Sequence, residues 1–270
     1  GVAAPHGALG FDGVDDYVSI PDVAAYDFSG GITMEAWVNF DAVNTGTNQA
    51  IISQIGSGNP DQAFEISEEA GKLRLVVSDG TNFPVLLSTN TVFSAGQWTH
   101  VAATHDNATM KIYINGTLVD SLASTVGINN TATPISIGNR PVSSLPLDGE
   151  MSEVRIWTEA RTGQQIADNY DKIIDTAGNT ALVGYWGLDD GEGAVATDDT
   201  GNSNGTVNGM TTGSETWTDT GPVINDTFID VDEGTPFNGD IAAHDPDGDP
   251  LVFSLDTDAT NGGVIVNADG

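Results

Sequence analysis

The sequence contains no cysteine and very few basic residues, and these deficits exclude several kinds of bond, metal site and binding partner. Without cysteine among its 270 residues, the chain can form neither a disulfide framework nor a thiolate metal site. Only 7 Lys and Arg accompany 39 Asp and Glu, so the formal net charge is −32. Because this charge repels polyanions, nucleic acid and anionic membrane surfaces are not expected partners. Apolar runs of the ~18 residues that span a bilayer are also missing, so no membrane insertion is expected.

In place of long apolar runs, the sequence has short stretches in which apolar and polar residues alternate. Between residues 98 and 122, turn residues interrupt the alternation at Asp106-Asn107 and at Asn115-Gly116, which predicts three consecutive antiparallel strands. Asn-Gly readily adopts positive φ at both central positions of a tight turn, so Asn115-Gly116 is the strongest hairpin signal. A further stretch predicts a strand with these residues on its core face: Ile32, Met34, Ala36, Val38 and Phe40.

Similar stretches, separated by Gly, Asn, Asp and Pro, recur along most of the chain and predict an all-β sandwich rather than βαβ units. One segment departs from this pattern, because Thr162 and Gln165 form a capping-box signature ahead of apolar residues at helical spacing. It predicts one short helix. A strand predicted at 182–188 either begins a second copy of the domain or closes the same sandwich. Closure is favoured, since Tyr185 and Trp186 would otherwise have little apolar cover.

Charged and aromatic residues share the outer face of two predicted strands. Trp37 lies on the same strand face as Glu35, and Trp157 on the same face as Arg155. Such a face could bind sugar rings. The sequence favours a simpler arrangement, in which Glu35 pairs with Arg155 and both tryptophans pack under the helix or loops.

The composition changes at Gly221-Pro222. Residues 222–270 contain 11 acidic residues and no Lys or Arg, and short apolar stretches within them predict strands. We therefore predict two domains, a β-sandwich over residues 1–221 and part of a second β module over residues 222–270. The second segment is too short to close a sandwich alone.

Four segments, in this order, carry a family resemblance: LGFDGVDDYVSIP, ITMEAWVNF, GQWTHVAATHD with KIYINGTLV, and ISIGNR with LDGEMSEVRIW. Together they resemble the laminin-G-like, pentraxin-related branch of the concanavalin A-like lectin/glucanase fold. The resemblance implies an antiparallel β-sandwich of the jelly-roll type that binds surface carbohydrate or glycoprotein. It also implies calcium ligands on loops at one face.

The terminal segment resembles a second family through DEGTPFNGDIAAHDPDGDPLVFSL and NGGVIVNADG. These stretches are similar to the first half of the cadherin-like or immunoglobulin-like repeats of giant secreted bacterial proteins. That resemblance implies an RTX-type adhesin, secreted or at the cell surface, in which neighbouring repeats of the same chain are partners.

Clusters of Asp and Asn are the candidate calcium ligands, since Ca²⁺ prefers carboxylate and amide oxygens. Three clusters qualify: Glu233 with Asp245, Asp247 and Asp249; Asp12 with Asp15 and Asp16; and Asp198 with Asp199, Asn202 and Asn204. We expect one Ca²⁺ at the first cluster and a single Ca²⁺ that joins the other two. The alternative is that these are ordinary Asx turns, held by hydrogen bonds from the backbone to the side chains.

The candidate sugar ligands are polar residues on two predicted loops at one rim and one aromatic residue on another loop: Asn59, Asp61, Gln62, Asn139 and Arg140, with Phe83. Sugar recognition combines polar groups for the hydroxyls with an apolar plane for the ring, which Phe83 could supply. Asp61-Gln62 resembles an upstream calcium-ligand pair of pentraxins. Asn139-Arg140 stands where a pentraxin has its further ligands, so a pentraxin-type double-calcium site is not expected.

Patterns of catalytic residues are not apparent. Retaining glycosidases need closely paired carboxylates, but Glu150 and Glu153 have opposite strand parity, and no G-x-S-x-G motif accompanies the histidines. We therefore predict a non-enzymatic, calcium-dependent, lectin-like module of a large secreted bacterial adhesin that attaches to cell-surface glycans or biofilm polysaccharide. The alternatives are a protein- or peptide-binding adhesion domain and a calcium-stiffened spacer.

Overall fold

Two antiparallel β-sheets pack against each other in the computed structural model of the chain. The structure describes residues 7–43, 45–58, 61–209 and 217–218. Within these ranges, no helix is long and apolar enough to cross a membrane. Residues 222–270 lie outside them, so the second β module remains a prediction.

The described chain is almost entirely strand and turn. Its strands are β1 (Ala8–Asp12), β2 (Tyr17–Ile20), β3 (Ile32–Phe40), β4 (Gln49–Ile55), β5 (Gln62–Glu69), β6 (Lys72–Val77), β7 (Val85–Leu87), β8 (Thr99–His105), β9 (Thr109–Ile114), β10 (Thr117–Ala123), β11 (Ile135–Ile137), β12 (Asp148–Trp157), β13 (Leu182–Trp186), β14 (Val195–Ala196), β15 (Gly205–Asn208) and β16 (Trp217–Thr218). One 3₁₀ turn (Ala24–Tyr26) and one α-helix, α1 (Gly163–Asn169), complete the described elements. The predicted all-β sandwich with one short helix is confirmed.

The first sheet, called sheet A, has the strand order β10-β9-β8-β3-β12-β1-β16, and β13 also pairs with β12. Strand β1 pairs with residues 148–151 of β12, whereas β13 pairs with residues 154–157 of the same strand. These two short strands therefore lie end to end along one side of β12, and β3 lies on its other side. The strand at 182–186 thus closes this sandwich, as predicted.

The second sheet, called sheet B, has the strand order β14-β15-β2-β11-β4-β5-β6-β7. The two sheets enclose one hydrophobic core, to which both contribute apolar residues. The predicted core face of β3 is confirmed, because these side chains are at most 1% exposed: Ile32, Met34, Ala36, Val38 and Phe40. Each large apolar side chain buried in this way contributes about 1.5–3 kcal/mol to stability.

The hairpin between β9 and β10 turns at Asn115-Gly116, as predicted. Both residues have left-handed backbone conformations, with φ of 47° and 76°, which a two-residue hairpin turn of this type requires. A Cβ on Gly116 would lie 2.8 Å from Cδ1 of Tyr170, so the turn also packs closely against the chain that follows α1. Strands β8, β9 and β10 pair antiparallel in sequence order.

Helix α1 lies on the outer face of sheet A. It begins with the predicted capping box, in which the Thr162 hydroxyl accepts from the Gln165 backbone N–H at 3.2 Å and the Gln165 side chain accepts from the Thr162 N–H at 2.8 Å. Ile166 packs on Tyr113 of the sheet, and the Trp37 indole donates to the Tyr170 carbonyl at 3.0 Å. Trp37 is therefore covered by the helical segment rather than presented to solvent.

The ion pair predicted between Glu35 and Arg155 is replaced by two separate pairs. The two residues are direct cross-strand neighbours, but Oε1 of Glu35 accepts from Arg161 at 2.8 Å and the Arg155 guanidinium donates to Glu153. The physical reason is that Arg161, in the chain just ahead of α1, lies over this face of sheet A and reaches Glu35. Glu153 is two residues from Arg155 on the same strand, and it takes the Arg155 guanidinium. Trp157, 3% exposed, lies beneath the Arg161 guanidinium, at 4.1 Å from its ring centroid.

A candidate ligand-binding site on the outer face of sheet B

A row of polar residues crosses the outer face of sheet B. Ser19 of β2 pairs with Ser136 of β11, which pairs with Ser53 of β4, and Ser53 pairs with Glu65 of β5. Their chain neighbours, such as Ile52 and Ile137, belong to the hydrophobic core. Because side chains alternate along a strand, the polar row points away from the core.

The loop between β11 and β12 folds back over this row, and Asn139 gives the loop its shape. The Asn139 side-chain oxygen accepts from the backbone N–H groups of Arg140, at 2.7 Å, and Leu145, at 3.0 Å. Its carbonyl accepts from the Ser53 hydroxyl at 3.3 Å. Asn139 is only 3% exposed. It therefore positions the loop instead of presenting its amide to a ligand.

Gly138 makes the start of this loop possible. Its φ is 81°, and a Cβ at this position would lie 2.2 Å from Cε1 of Phe11. Both the left-handed backbone and the close approach of a core aromatic require glycine here.

Glu65 is buried between two arginines. Its Oε1 accepts from Arg74 at 2.6 Å and from the Ser67 hydroxyl at 3.1 Å, and its Oε2 accepts from Arg140 at 2.9 Å. The Glu65 side chain is 1% exposed, whereas those of Arg74 and Arg140 are 19% and 24% exposed. Arg140 also donates from Nε to the Ser143 hydroxyl at 2.5 Å. One buried carboxylate thus holds the Arg140 guanidinium against the sheet with one edge toward solvent.

An open cavity of about 280 Å³ lies beside Arg140. Its lining residues come from the end of β4, the start of β5 and the β11–β12 loop: Ile55, Gly56, Ser57, Gln62, Arg140, Val142 and Ser143. Two apolar side chains, including Val142 at 50% exposure, therefore lie next to an amide, a guanidinium and two hydroxyls. The volume is near the lower end of small-ligand cavities, which begin at about 300 Å³. A single ring fits such a cavity better than an extended ligand.

The structure brings part of the predicted sugar-binding set together. Gln62 and Arg140 line the cavity. Asp61 is exposed beside it, and its backbone closes the preceding turn with Gly56 and Gly58. Phe83 is half-buried in the loop between β6 and β7 and is not one of the lining residues. Asn59 lies outside the described residues.

Four lining side chains were not predicted: Ile55, Ser57, Val142 and Ser143. Ile55 looks like an ordinary last residue of a strand. Val142 had one recognisable signal, because it is an apolar residue within an otherwise polar loop. Nothing in the local sequence indicates that this loop folds back over the sheet.

Asp12, Asp15 and Asp16 form a carboxylate cluster in the turn between β1 and β2. One oxygen from each residue lies within 4.8 Å of the others. Oδ2 of Asp16 accepts from the Asp12 backbone N–H at 2.9 Å, and Oδ1 of Asp12 accepts from the Val14 N–H at 2.8 Å. The hydrogen bond from Val14 to Asp12 is that of the Asx-turn alternative, and the three clustered carboxylates also suit a hard cation such as Ca²⁺.

The loop at 198–204 is organised by hydrogen bonds to its own backbone. The carboxylate of Asp198, 3% exposed, accepts from the backbone N–H groups of Tyr185, Asn202 and Ser203 at 2.9–3.0 Å. The Asn204 side-chain oxygen accepts from the Asp198 N–H at 3.0 Å. These contacts are those of the Asx-turn alternative.

Asp199 differs from its neighbour, because it lies at the surface, only partly shielded from solvent, and sits among acidic groups. Partial burial and the negative charges of Asp189 and Glu153 raise the pKa of Asp199 to about 6. At neutral pH most Asp199 is still ionised, and protonation as the pH falls through about 6 relieves this repulsion. Asp199 is therefore a poorly stabilised carboxylate rather than a structural one.

The two acidic loops of the sandwich lie at opposite ends of β2. The cluster of Asp12, Asp15 and Asp16 precedes β2, whereas the hydroxyl of Ser203 donates to the carbonyl of Pro21, just after β2. Four strand residues at ~3.3 Å each separate these ends by roughly 13 Å, whereas Ca²⁺ binds its ligands at about 2.3–2.6 Å. One ion cannot join both loops, so the prediction of a shared site is corrected. The cluster of Glu233, Asp245, Asp247 and Asp249 lies outside the described residues.

The described chain is a β-sandwich of two antiparallel sheets with a ring-sized cavity on one outer face. Residues 12–167 match a laminin G model described as the concanavalin A-like lectin/glucanases superfamily. This match covers more than half of the chain, and the chain belongs to that superfamily. A comparison with curated proteins finds no match.

Solved structures resemble the chain with different degrees of sequence identity and structural similarity. An inferred carbohydrate-binding protein of Bacteroides ovatus is similar at 25% identity, with a TM-score of 0.64 and 82% of this chain covered. The chain spans 62% of the length of that protein. A heptameric SAP-like pentraxin of Limulus polyphemus shares 20% identity over 60% of this chain and 80% of its own, with a TM-score of 0.46. Similarity at the level of the pentraxin is too low to transfer a ligand.

Proposed function

We propose that this chain is a non-catalytic carbohydrate-binding module whose cavity beside Arg140 holds a sugar ring. The observation that carries the proposal is the meeting of Gln62 and Arg140 with the apolar side chains of Ile55 and Val142 in one open cavity. Forked polar groups can bind vicinal hydroxyls, and apolar side chains can pack on the C–H face of a ring. The similarity to an inferred carbohydrate-binding protein at 25% identity supports the ligand class.

A neutral sugar fits this site better than an acidic one. Arg140 and Arg74 share Glu65, and Arg74 also pairs with Glu69 at 3.2 Å. Two carboxylates therefore balance the two guanidinium groups, and Arg140 supplies hydrogen bonds without net local attraction for an anion. The net charge of −32 further repels uronate or sialate groups.

The lining of the cavity argues for binding without hydrolysis. Among the described lining residues there is no Asp or Glu, and glycosidases of the common kinds need two carboxyl groups about 5–9.5 Å apart across the bond that they cleave. Glu65 cannot serve as one of them while it is buried between Arg74 and Arg140.

We assign calcium a structural role in this proposal, at Asp12, Asp15 and Asp16. This cluster precedes β2, and the β2 pairing with β11 places it toward the start of β4, whereas the cavity lies at the end of β4. An ion there would stabilise the turn without contacting the sugar. Removal of calcium would then weaken sugar binding only by lowering the stability of the folded domain.

The cellular setting that we propose is extracellular, as one module of a large secreted bacterial adhesin that attaches to glycans or biofilm polysaccharide. What supports it is the resemblance of residues 222–270 to the cadherin-like repeats of giant secreted bacterial proteins.

A glycan array tests the proposed function directly. We expect neutral glycans to bind the native chain, and Gln62→Ala to abolish that binding. Gln164→Ala is the matched control, because Gln164 is an exposed glutamine of helix α1 on the opposite sheet. The absence of any sugar ligand, together with specific capture of a protein, would overturn the proposal in favour of a protein-binding domain.

A further inference from the structure

Both sheets end on the same flank of the sandwich, which we call the β10 flank. Strand β10 is the last strand of sheet A, and β7 is the last strand of sheet B. The two edges are joined by Asp120 of β10, whose Oδ2 accepts from the backbone N–H of Thr89 at 2.9 Å and from its hydroxyl at 2.7 Å. In the described part of the chain, no strand pairs with the outer side of β10.

Apolar side chains are exposed along this edge. Leu118 is 50% exposed, Val119 is 38% exposed and Leu122 is 37% exposed, and Val85 of β7 is 44% exposed on the neighbouring edge. Six of the seven residues of β10 are exposed, and the seventh is Asp120. Strand β10 has one irregularity, a register shift against β9 between Leu118 and Asp120, and it pairs regularly from Asp120 to Ala123. An edge strand with exposed apolar side chains is a template for pairing with another strand.

Charge is sparse in the strands of this flank, although helix α1, which contacts β10, carries Asp168. Residues 81–123, which contain β7 to β10, include only Asp106, Lys111 and Asp120 as charged groups, for a formal charge of −1, while the whole chain carries −32. Charged residues at the middle of an edge normally discourage pairing. Asp120 does not act in this way, because its carboxylate is turned to Thr89.

We propose that two copies of this chain associate through antiparallel pairing of their β10 strands, across a two-fold axis. A two-fold interface brings the same surface together from both partners, so that surface has to match itself. A nearly neutral, apolar edge does so, whereas the strongly acidic remainder of the chain repels its own copy. Depletion of charge at the centre is also typical of protein interfaces. The proposal does not depend on sugar binding, because the cavity lies on the outer face of sheet B.

Sedimentation equilibrium of the full chain tests the proposal. We expect a monomer–dimer equilibrium whose Kd falls about tenfold or more between 0.15 and 1 M NaCl, because salt screens the repulsion between two acidic molecules. Hydrogen exchange should slow at β10 amides as the protein concentration rises, and no such change should occur at β14.

Two variants make the test specific. Val119→Lys should give a monomer, and Leu118→Lys, at a more exposed position, should do the same if the first variant misfolds. Val195→Lys is the matched control, since Val195 is a 50% exposed valine on β14, the edge strand at the far side of sheet B. A native chain that stays monomeric at millimolar concentration, or a dimer that survives both β10 variants, would overturn the proposal. If the native chain stays monomeric, the alternative partner for the β10 edge is an extended segment of a different protein.

Discussion

Nε2 of His100 lies 3.4 Å from Oε2 of Glu35 beneath the segment that contains helix α1, and both side chains are at most 1% exposed. Glu35 also accepts from Arg161 on its other oxygen. A buried carboxylate is tolerated only with such partners, because the cost of removing it from water is several kcal/mol. The outer face of sheet A is thus held to its covering segment by charge as well as by packing.

This arrangement predicts loss of stability in acid. Burial alone would raise the pKa of Glu35, but His100, Arg155 and Arg161 together lower it from 4.5 to about 2. Burial lowers the pKa of His100 below 6.5, against the opposing effect of Glu35. Both groups bind more protons when unfolded, so stability should fall as pH drops below about 6.5 and fall further from about 4.5 towards 2. Urea unfolding between pH 8 and pH 3 would measure this dependence.

Glu35→Gln provides the corresponding variant. It leaves Arg161 buried without its carboxylate, and breaking a buried pair costs about 3–5 kcal/mol. The acid-dependent loss between pH 4.5 and 3 should shrink in this variant. If Glu35→Gln unfolds at the same urea concentration as the native chain, the pair does not stabilise the covering segment.

Asp198 and Asp199 are neighbours in the sequence, but we predict different effects on stability when each is replaced by alanine. Asp198→Ala removes the acceptor of several backbone N–H groups, and hydrogen bonds to a charged group are worth about 1.5–3 kcal/mol each. We therefore expect a loss of at least ~3 kcal/mol. Asp199→Ala removes a carboxylate whose pKa is raised to about 6 by its surroundings, so it should leave stability at pH 7 unchanged or slightly higher. Equal losses in the two variants, measured by urea unfolding, would contradict the hydrogen-bonded role of Asp198.

The fold could be predicted wherever the determining information is local. Alternation and the Asn115-Gly116 turn define β8 to β10, and the capping box at Thr162 defines the start of α1. The partner of Glu35 could not be predicted in the same way. It depends on where Arg161, in the segment that covers sheet A, meets β3, which is a long-range contact and not a property of one strand.

The candidate site was predictable only in part, for a similar reason. Gln62 and Arg140 belong to positions that the family resemblance indicates, and they line the cavity. Val142 joins them because its loop folds back over sheet B. The shared calcium site failed because the pairing of β2 with β15 places the two acidic loops at opposite ends of β2, a long-range relationship that spacing in the sequence does not reveal.

Glu65 and Glu69 offer a matched test of the ion pairs that hold Arg74 and Arg140 beside the cavity. Glu65→Gln leaves Arg74 and Arg140 facing each other without a buried carboxylate, and we expect a loss of about 1–3 kcal/mol together with weaker sugar binding. Glu69 pairs with Arg74 at 3.2 Å but is 39% exposed, so Glu69→Gln should cost no more than ~1 kcal/mol. Thermal unfolding and glycan titration of both variants would check this. Similar losses would show that the burial of Glu65 has no special importance.

Calcium should stabilise the chain through the turn between β1 and β2. Binding to the folded state alone raises stability by about 2.7 kcal/mol at a hundredfold excess over Kd, which corresponds to a rise in Tm of about 5–10 °C for a domain of this size. Asp15→Asn should weaken this rise, because Asp15 is an exposed member of the cluster and can be changed without disturbing the hydrogen bond between Asp16 and Asp12.

Two controls separate this turn from other acidic groups in the calcium experiment. Asp199→Asn makes the same change of charge in the loop at 198–204 and should keep the full rise in Tm. Asp247→Asn makes the same change of charge in the terminal cluster. Calorimetric titration counts the calcium ions bound by each variant, and the variant that loses an ion identifies the site. A Tm of the native chain that EGTA does not change would contradict calcium binding. A rise that Asp199→Asn reduces as much as Asp15→Asn does would show that calcium acts only through the overall negative charge.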